Sequence, residues 1–177
     1  RPMLETLRRL REALRAKRHR RGSIDFELPE IKVKLDAEGH PVALVKRTGS
    51  IGESIIEECM LIANETVARH MELKEEPFVY RVHETPNAEK IERFQSLLAA
   101  LGLRLHIDED GKVQPRDIQA VLDRVKGAPE ERIIGAVALR SMQQARYATA
   151  SLGHFGLAAR YYTHFTSPIR RYPDLLV

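Results

Sequence analysis

The feature that most constrains the fold is the segment SIGESIIEECMLIANETVARHMEL, from Ser50 to Leu73. It opens with a capping box, in which Ser50 and Glu53 can each satisfy a free backbone amide of the other. Apolar side chains then recur every three or four residues, at Ile55, Ile56, Cys59, Met60, Ala63, Val67 and Met71. The segment predicts a long helix with one buried face, so other parts of the chain must cover that face.

Three polar residues of this predicted helix have different expected environments. Helical residues turn by about 100° each, so Glu57 points away from the apolar stripe and is expected to face water. Glu58 lies at the margin of the stripe, where it could face a cleft. His70 falls on the stripe itself, which favours a hydrogen-bonded core histidine over a ligand-binding one.

The residues that precede this helix predict a basic helix followed by a hairpin. Leucines recur at helical spacing among arginines up to Arg21, and Gly22 is expected to end that helix. Segments 23–35 and 41–47 alternate apolar and polar residues on either side of the turn sequence DAEGH, which is typical of two antiparallel strands.

The rest of the chain adds more helices and short strands. Segments 77–84 and 103–107 have the alternation of strands, and helices are expected to begin near Pro86, Pro115 and Pro129. The buried side of the last of these helices is predicted to carry Ile133, Ile134, Val137 and Met142. These elements predict an α+β fold, in which helices pack with short antiparallel strands.

Composition limits the class of protein. A chain of 177 residues, 43% apolar and 31% charged, is expected to form one domain or part of one. No apolar run approaches the ~18 residues that a membrane span needs, so no membrane is expected and a cytoplasmic location is favoured. Cys59 is the single cysteine, which excludes a disulfide framework within the chain. A net charge of +4 permits an acidic partner without requiring one.

One acidic loop has part of the pattern of a metal-binding loop. A calcium loop over the sequence DEDG needs acidic residues at its first and twelfth positions, which here are His106 and Asp117. The pattern fails at its first position, so a plain turn before the Pro115 helix is predicted.

The carboxy-terminal part of the chain is rich in aromatic residues. Six of the ten aromatic residues follow Ser141, and four arginines are interleaved with them. Aromatic rings beside guanidinium groups suit single-stranded nucleic acid, because bases stack on rings and arginine binds phosphate in a bidentate way. An aromatic core cluster with surface arginines explains the same composition equally well.

The order of residues in HFTSPIRRYPD adds detail. It predicts a turn entering a helix with Pro168 at the first helical position, after hydroxyls that either cap the helix or contact a ligand. Arg170 and Arg171 would point about 100° apart on that helix, so they cannot both contact the same group. One is expected to bind phosphate and the other to pair with an acid such as Asp174.

Four segments together resemble a known family. The run GHFGLAARYYTHFTSPIRRYPDLLV closely resembles the signature of the RNase II/RNase R family of 3′-to-5′ exoribonucleases, in their RNB catalytic domain. The segments RGSIDFELPE, IEECMLIAN and ALRSMQQARY are similar to that family in the same order and at similar separation. The resemblance covers essentially the whole chain and is closer to the RNase R branch.

The resemblance implies roles for individual residues. Arg170 matches the family arginine that grips phosphate at the scissile bond and stabilises charge during attack. Phe26 matches an aromatic residue that clamps the terminal bases, although a strand core residue is an equally good interpretation. Glu58 matches a pocket glutamate near the final nucleotide. The remaining expected RNA-binding residues belong to the carboxy-terminal signature: Ser167, Arg171 and Tyr172.

The sequence departs from the family pattern in its acidic residues. The family holds magnesium with a cluster of aspartates, and the aspartates of this chain are scattered. Magnesium is therefore expected as the cofactor of the intact enzyme, with its ligands outside this chain and no metal site within it. Residues 1–177 are interpreted as a partial RNB domain, without the upstream aspartate cluster and the downstream RNA-binding barrels.

These expectations lead to one main hypothesis and two rivals. The parent protein is expected to hydrolyse single-stranded RNA to nucleoside 5′-monophosphates, whereas this chain alone is expected to be inactive. Its expected partners are single-stranded RNA and the remainder of its own domain. The rivals are a non-catalytic RNA-binding module derived from the RNB fold, and an inactive folding intermediate or proteolytic remnant.

Overall fold

Helices and short strands alternate along the chain in the computed structural model, which describes residues 1–26, 30–47 and 49–177. The helices are α1 (Pro2–Arg21), α2 (Ile51–Lys74), α3 (Ala88–Ala100), α4 (Pro115–Val125), α5 (Glu131–Ser141) and α6 (Pro173–Leu176). The strands are β1 (Glu30–Leu35), β2 (Pro41–Arg47), β3 (Tyr80–Val82) and β4 (Arg146–Ala148). They form two separate antiparallel pairs, β1 with β2 and β3 with β4, which confirms the predicted α+β class.

Local sequence signals set the ends of the first two helices as predicted. Gly22 follows α1 in the left-handed conformation, with φ of 93°. A Cβ atom at this position would lie only 2.6 Å from Cβ of Arg116, so both the backbone and the packing require glycine. At the start of α2, the Ser50 side chain accepts from the Glu53 amide and the Glu53 side chain accepts from the Ser50 amide.

The predicted hairpin forms but starts later than expected. Residues 23–26 are not in a strand, and β1 begins at Glu30, while residues 27–29 lie outside the described residues. Val33 lies opposite Leu44 in the register of the pair. Apolar side chains of both strands are largely exposed, including those of Ile31 and Leu44, so the hairpin extends from the body of the molecule.

The main hydrophobic core lies between α3, α4 and α5. Phe94, Leu98, Ile118 and Ile134 are completely buried in it, and Met142 joins them as predicted. The expectation that Ile133 is buried was wrong, since 54% of this residue is exposed. Ile133 and Ile134 are adjacent on α5 and point about 100° apart, so only one of them can face the core.

The segment 103–107 does not form the predicted strand. Leu105 buries its side chain in the main core, but no strand pairs with this segment within the described residues. The acidic loop that follows is a plain turn, as predicted. The Gly111 amide donates to the Asp108 carbonyl at 3.0 Å, and the Lys112 amide donates to Oδ1 of Asp108 at 2.6 Å.

A second, smaller core lies beneath the carboxy-terminal segment. Ala68 of α2 is buried there together with Phe78, Tyr80 and Val82. The strand in this core, β3, is shorter than the predicted segment 77–84. Across the described ranges, no helix combines the length and apolar content needed to cross a membrane.

The buried face of α2 differs from the predicted apolar stripe. Glu57 is exposed, as expected, but the expectations that Ile56 and His70 are buried were wrong, because both are exposed. The most deeply buried residues of α2 are Ile55, Glu58, Asn64 and Ala68. The other members of the stripe are half-buried: Cys59, Met60, Ala63, Val67 and Met71. Polar contacts with α1 and with the carboxy-terminal segment therefore decide which side of α2 faces inward.

Candidate functional site

A buried amide on α2 anchors the carboxy-terminal segment. Nδ2 of Asn64 donates to the Tyr162 hydroxyl at 3.1 Å, and Oδ1 of Asn64 accepts from the Phe165 amide at 3.1 Å. Between these two contacts, the Thr163 hydroxyl donates to the Val79 carbonyl at 2.6 Å. These hydrogen bonds fix the backbone immediately before the two adjacent arginines.

The arginines lie on a turn, so the predicted helix beginning at Pro168 was wrong. The amides of Arg170 and Arg171 both donate to the Ser167 carbonyl, at 3.3 and 3.1 Å, and the chain then leaves this turn. Pro173 has no amide hydrogen to continue a helix from Pro168, and its ring would clash with the preceding turn of such a helix. The helix begins only at Pro173.

The turn separates the two arginines, as the sequence predicted. Arg171 points inward, where its Nη2 and Nε lie 2.7 and 3.1 Å from Oδ1 of Asp174. Arg170 is exposed, and within the described residues its side chain makes no hydrogen bond or ion pair. Tyr172, two residues further along the chain, is also exposed, and Ser167 is half-buried. The guanidinium group of Arg170 is therefore available to an anion.

Histidine and tyrosine rings form a row beside this turn. The Tyr162 ring contacts those of His154 and His164 edge to face, with centroids 5.1 and 5.9 Å apart. The Tyr147 hydroxyl lies 2.8 Å from Nδ1 of His164, and the Arg81 guanidinium lies 4.7 Å above the Tyr147 ring. The row joins β3, β4 and the carboxy-terminal segment.

The histidines of this row are neutral at neutral pH. Burial, followed by the nearby His83, lowers the pKa of His154 to about 3. Burial, followed by the charge of Arg171, lowers the pKa of His164 to about 4. The positive charge on this surface therefore comes from its arginines.

A second polar cluster joins α1 to α2 around Arg18, which is buried. Its guanidinium group donates to Oε1 of Glu58 at 2.8 Å, to the Ser23 hydroxyl at 2.8 Å, and to Oδ1 of Asp25. Burial alone would lower the pKa of Arg18, but the hydrogen bonds to Glu58 and Asp25 raise it above its ordinary value. Arg18 therefore remains a cation that neutralises two carboxylates.

This cluster determines the surroundings of two predicted RNA-binding residues. Glu58 is only 3% exposed and is committed to Arg18, instead of facing an open cleft. Phe26 directly follows Asp25, packs partly against the main core, and lines a cavity of about 410 Å³. Four cationic side chains line the same cavity: Arg15, Lys46, Lys126 and Arg132.

The predicted site residues thus fall into two groups. Ser167, Arg170, Arg171 and Tyr172 share one turn, whereas Glu58 is linked to the segment of Phe26 through the Arg18 cluster. Among the described residues, no hydrogen bond, ion pair or ring contact joins the two groups directly. Their roles in RNA binding remain predictions.

Sequence reasoning missed Arg18, although the sequence carries a signal for it. Arg18 lies on the same face of α1 as Leu7, Arg11 and Leu14, the face that meets α2. An arginine on the packed stripe of an amphipathic helix needs a buried acceptor. The acid at the margin of the α2 stripe, Glu58, was the available candidate.

Comparison with known proteins assigns the chain to a family. The profile of the RNB domain matches residues 1–177. This chain belongs to the RNB domain family. It is 49% identical to Ribonuclease R 1 of Lactococcus lactis over 95% of its length, and 46% identical to Ribonuclease R of Thermotoga maritima over 95%. It spans 20% and 24% of the length of those two relatives.

Solved structures support the same assignment. The apo form of Mycoplasma genitalium RNase R superposes with a TM-score of 0.91 at 32% identity, covering 97% of this chain and 27% of that one. The same protein has been solved with ribose-methylated single-stranded RNA, again with a TM-score of 0.91. Yeast Ssd1, a pseudonuclease, superposes less closely, with a TM-score of 0.62 at 26% identity over 73% of this chain and 16% of that one.

Proposed function

We propose that the protein containing this chain is a 3′-to-5′ exoribonuclease that hydrolyses single-stranded RNA to nucleoside 5′-monophosphates. The observation that carries the proposal is the difference between the two arginines of the carboxy-terminal turn: Arg171 pairs with Asp174, whereas Arg170 is exposed. The match to ribonuclease R over almost the whole chain, and a relative solved with single-stranded RNA, support RNA as the ligand. A cytoplasmic location is part of the proposal.

The proposed role of Arg170 is to bind the phosphate at the bond that is cleaved. A guanidinium group can donate two hydrogen bonds to a phosphate and stabilise the charge that develops during hydrolysis. Tyr172, two residues further along the chain, offers an exposed ring on which a base can stack. Arg171, Ser167, Phe26 and Glu58 are proposed to shape the RNA path.

Magnesium is proposed as the cofactor of the intact protein, with its ligands outside this chain. Among the residues that the structure describes, no three acidic, histidine or cysteine side chains come together as a metal site. We therefore assign no step of the reaction to metal ligands in this chain. The chain alone is expected to bind RNA without cleaving it, and its other proposed partner is the rest of its own domain.

The test compares the intact protein with two arginine variants, using 5′-labelled single-stranded RNA and magnesium. Arg170→Ala should reduce shortening of the RNA far more than retention of the RNA, because its contact strengthens in the transition state. The matched control is Arg140→Ala, at an exposed arginine of α5, which should leave both unchanged. Equal losses of shortening and retention in Arg170→Ala would reduce Arg170 to a general phosphate contact.

A non-catalytic RNA-binding module is the second candidate, because the pseudonuclease Ssd1 shares this fold. The same assay separates the two candidates. Retention of RNA by the intact protein without any shortening would favour the binding module. Shortening by the isolated 177-residue chain, dependent on Arg170, would show instead that the chain contains a complete active site.

A further inference from the structure

Asp174 closes the turn that carries Arg170. Its side chain is completely buried, and its Oδ1 atom accepts three hydrogen bonds. One comes from the Ser167 amide at 2.8 Å, and two come from Nε and Nη2 of Arg171 at 3.1 and 2.7 Å. A single carboxylate oxygen therefore joins the start of the turn to its end.

The residues within this closed turn point outward. Ile169 is fully exposed and Arg170 is exposed, so neither is held by packing against the body of the protein. The backbone hydrogen bonds from Arg170 and Arg171 to the Ser167 carbonyl form the turn itself. Asp174 supplies the side-chain contacts that join Ser167 and Arg171 to α6 and hold the Arg171 side chain on the inner side of the turn.

The burial of Asp174 is not what stability alone would favour. Its second oxygen, Oδ2, is buried and has no hydrogen-bond partner among the described residues. A buried charged oxygen without a partner is unfavourable, so its presence calls for an explanation, and a functional role is one of those available. Burial tends to raise the pKa of Asp174, but the hydrogen bonds from Arg171 and Ser167 lower it below its ordinary value, so the group stays ionised.

We propose that Asp174 is a positioning residue for Arg170. It fixes the 167–174 turn and engages Arg171, so that only the Arg170 guanidinium is presented to the phosphate of the RNA. This inference rests on the proposed function, and it adds a residue that does not itself touch RNA. A displacement of about 1 Å in a positioned catalytic group can reduce a rate on the order of 100-fold, so loss of this contact should be measurable.

The test uses Asp174→Asn in the intact protein, alone and combined with Arg170→Ala. The asparagine keeps the size of the side chain but loses the charge that holds Arg171. The single-turnover rate of shortening of 5′-labelled single-stranded RNA should fall on the order of 10- to 100-fold, with little change in the RNA dissociation constant. In the Arg170→Ala background the same substitution should have almost no further effect, because both changes remove the same contribution. Asp110→Asn, at an exposed acid, is the matched control.

Hydrogen–deuterium exchange over residues 166–172 reports on the turn independently of activity. Asp174→Asn should accelerate exchange there, since the uncharged asparagine no longer holds Arg171 and its oxygen is a weaker acceptor for the Ser167 amide, and should leave α3–α5 unchanged. If Asp174→Asn fails to fold, Arg171→Met takes its place. It breaks the same ion pair from its other side and should accelerate exchange in the same way. Two results would overturn the role of Asp174 and leave the proposed function intact. One is unchanged exchange and a normal rate of shortening in Asp174→Asn; the other is a double variant whose loss of rate is the sum of the losses in the two single variants. A wild-type protein that neither retains nor shortens RNA would overturn the proposed function, and this inference with it.

Discussion

Replacing Arg18 by methionine is expected to destabilise the chain strongly, although the side chains are similar in volume. Arg18 makes hydrogen bonds to Glu58, Asp25 and Ser23 in a buried position, and Glu58 is only 3% exposed. The substitution would leave the Glu58 carboxylate buried without its cation. Removal of one partner from a buried ion pair typically costs about 3–5 kcal/mol, a large part of the stability of a domain this size.

Equilibrium urea unfolding of the chain, followed by circular dichroism, measures this loss as a lower midpoint at unchanged slope. The matched control is Arg8→Met on the same helix. Arg8 makes exposed ion pairs with Glu5 and Glu12, so its replacement should have little effect on the free energy of unfolding. Arg18→Met/Glu58→Met should recover much of the loss, since no unpaired charge then remains at Glu58. A loss below about 1 kcal/mol for Arg18→Met would refute the view that this ion pair holds α1 against α2.

Two further measurements test the histidine row and the main core. The folded-state pKa values of His154 and His164, about 3 and 4, lie below the unfolded value of about 6.5. The unfolded chain therefore binds more protons in acid, and the free energy of unfolding should fall as pH decreases from about 6.5 to 4.5, by about 2–3 kcal/mol for each histidine. In pH-dependent urea unfolding, His164→Gln should reduce this slope, whereas the exposed-site control His70→Gln should not; equal slopes in all three proteins would contradict the assignment. Ile134→Ala should cost about 2–5 kcal/mol because the side chain is completely buried, and Ile133→Ala, next to it but 54% exposed, should cost much less in the same assay. Similar losses of stability for the two substitutions would contradict the assignment of Ile134, and not Ile133, to the main core.

Features that depend on neighbouring residues could be predicted from the sequence. The end of α1 at Gly22 and the start of α2 at Ser50 each require only a few adjacent residues, and the structure has both. The hairpin between β1 and β2 is local for the same reason. The segment 103–107 has the residue pattern of a strand, but a strand needs a partner, and none pairs with it within the described residues.

The side that a helix buries was harder to predict, because it depends on what packs against the helix. The apolar stripe of α2 is only half-buried, and the most buried residues of the helix include the polar residues Glu58 and Asn64. Glu58 meets Arg18, which is 40 positions away, and Asn64 meets Tyr162, which is 98 positions away. A count of apolar residues at helical spacing contains no information about such polar partners.

Within the candidate site, the pairing of one of the two arginines with Asp174 could be foreseen, because both lie within four positions of it. The choice between the two arginines could not be made from spacing alone, since either could have been the one that pairs. The structure assigns the pair to Arg171, through a turn that Pro173 prevents from continuing as a helix. The resemblance predicts that Arg170 binds phosphate, and the structure leaves its side chain exposed. The role of Arg170 in binding RNA stays a prediction.

Helix α2 connects the two groups of predicted site residues. Glu58 binds the cluster that precedes Phe26, and Asn64 binds the segment that precedes Arg170. At a rise of 1.5 Å per residue, these two positions lie about 9 Å apart along the helix axis, and they are on different sides of the helix. A single rigid element therefore sets the distance between the Arg18 cluster and the carboxy-terminal turn, so a substrate that contacts both must match that spacing. Each group also has its own closing contact, Arg18 in one and Asp174 in the other, so a substitution in one should leave the local geometry of the other intact.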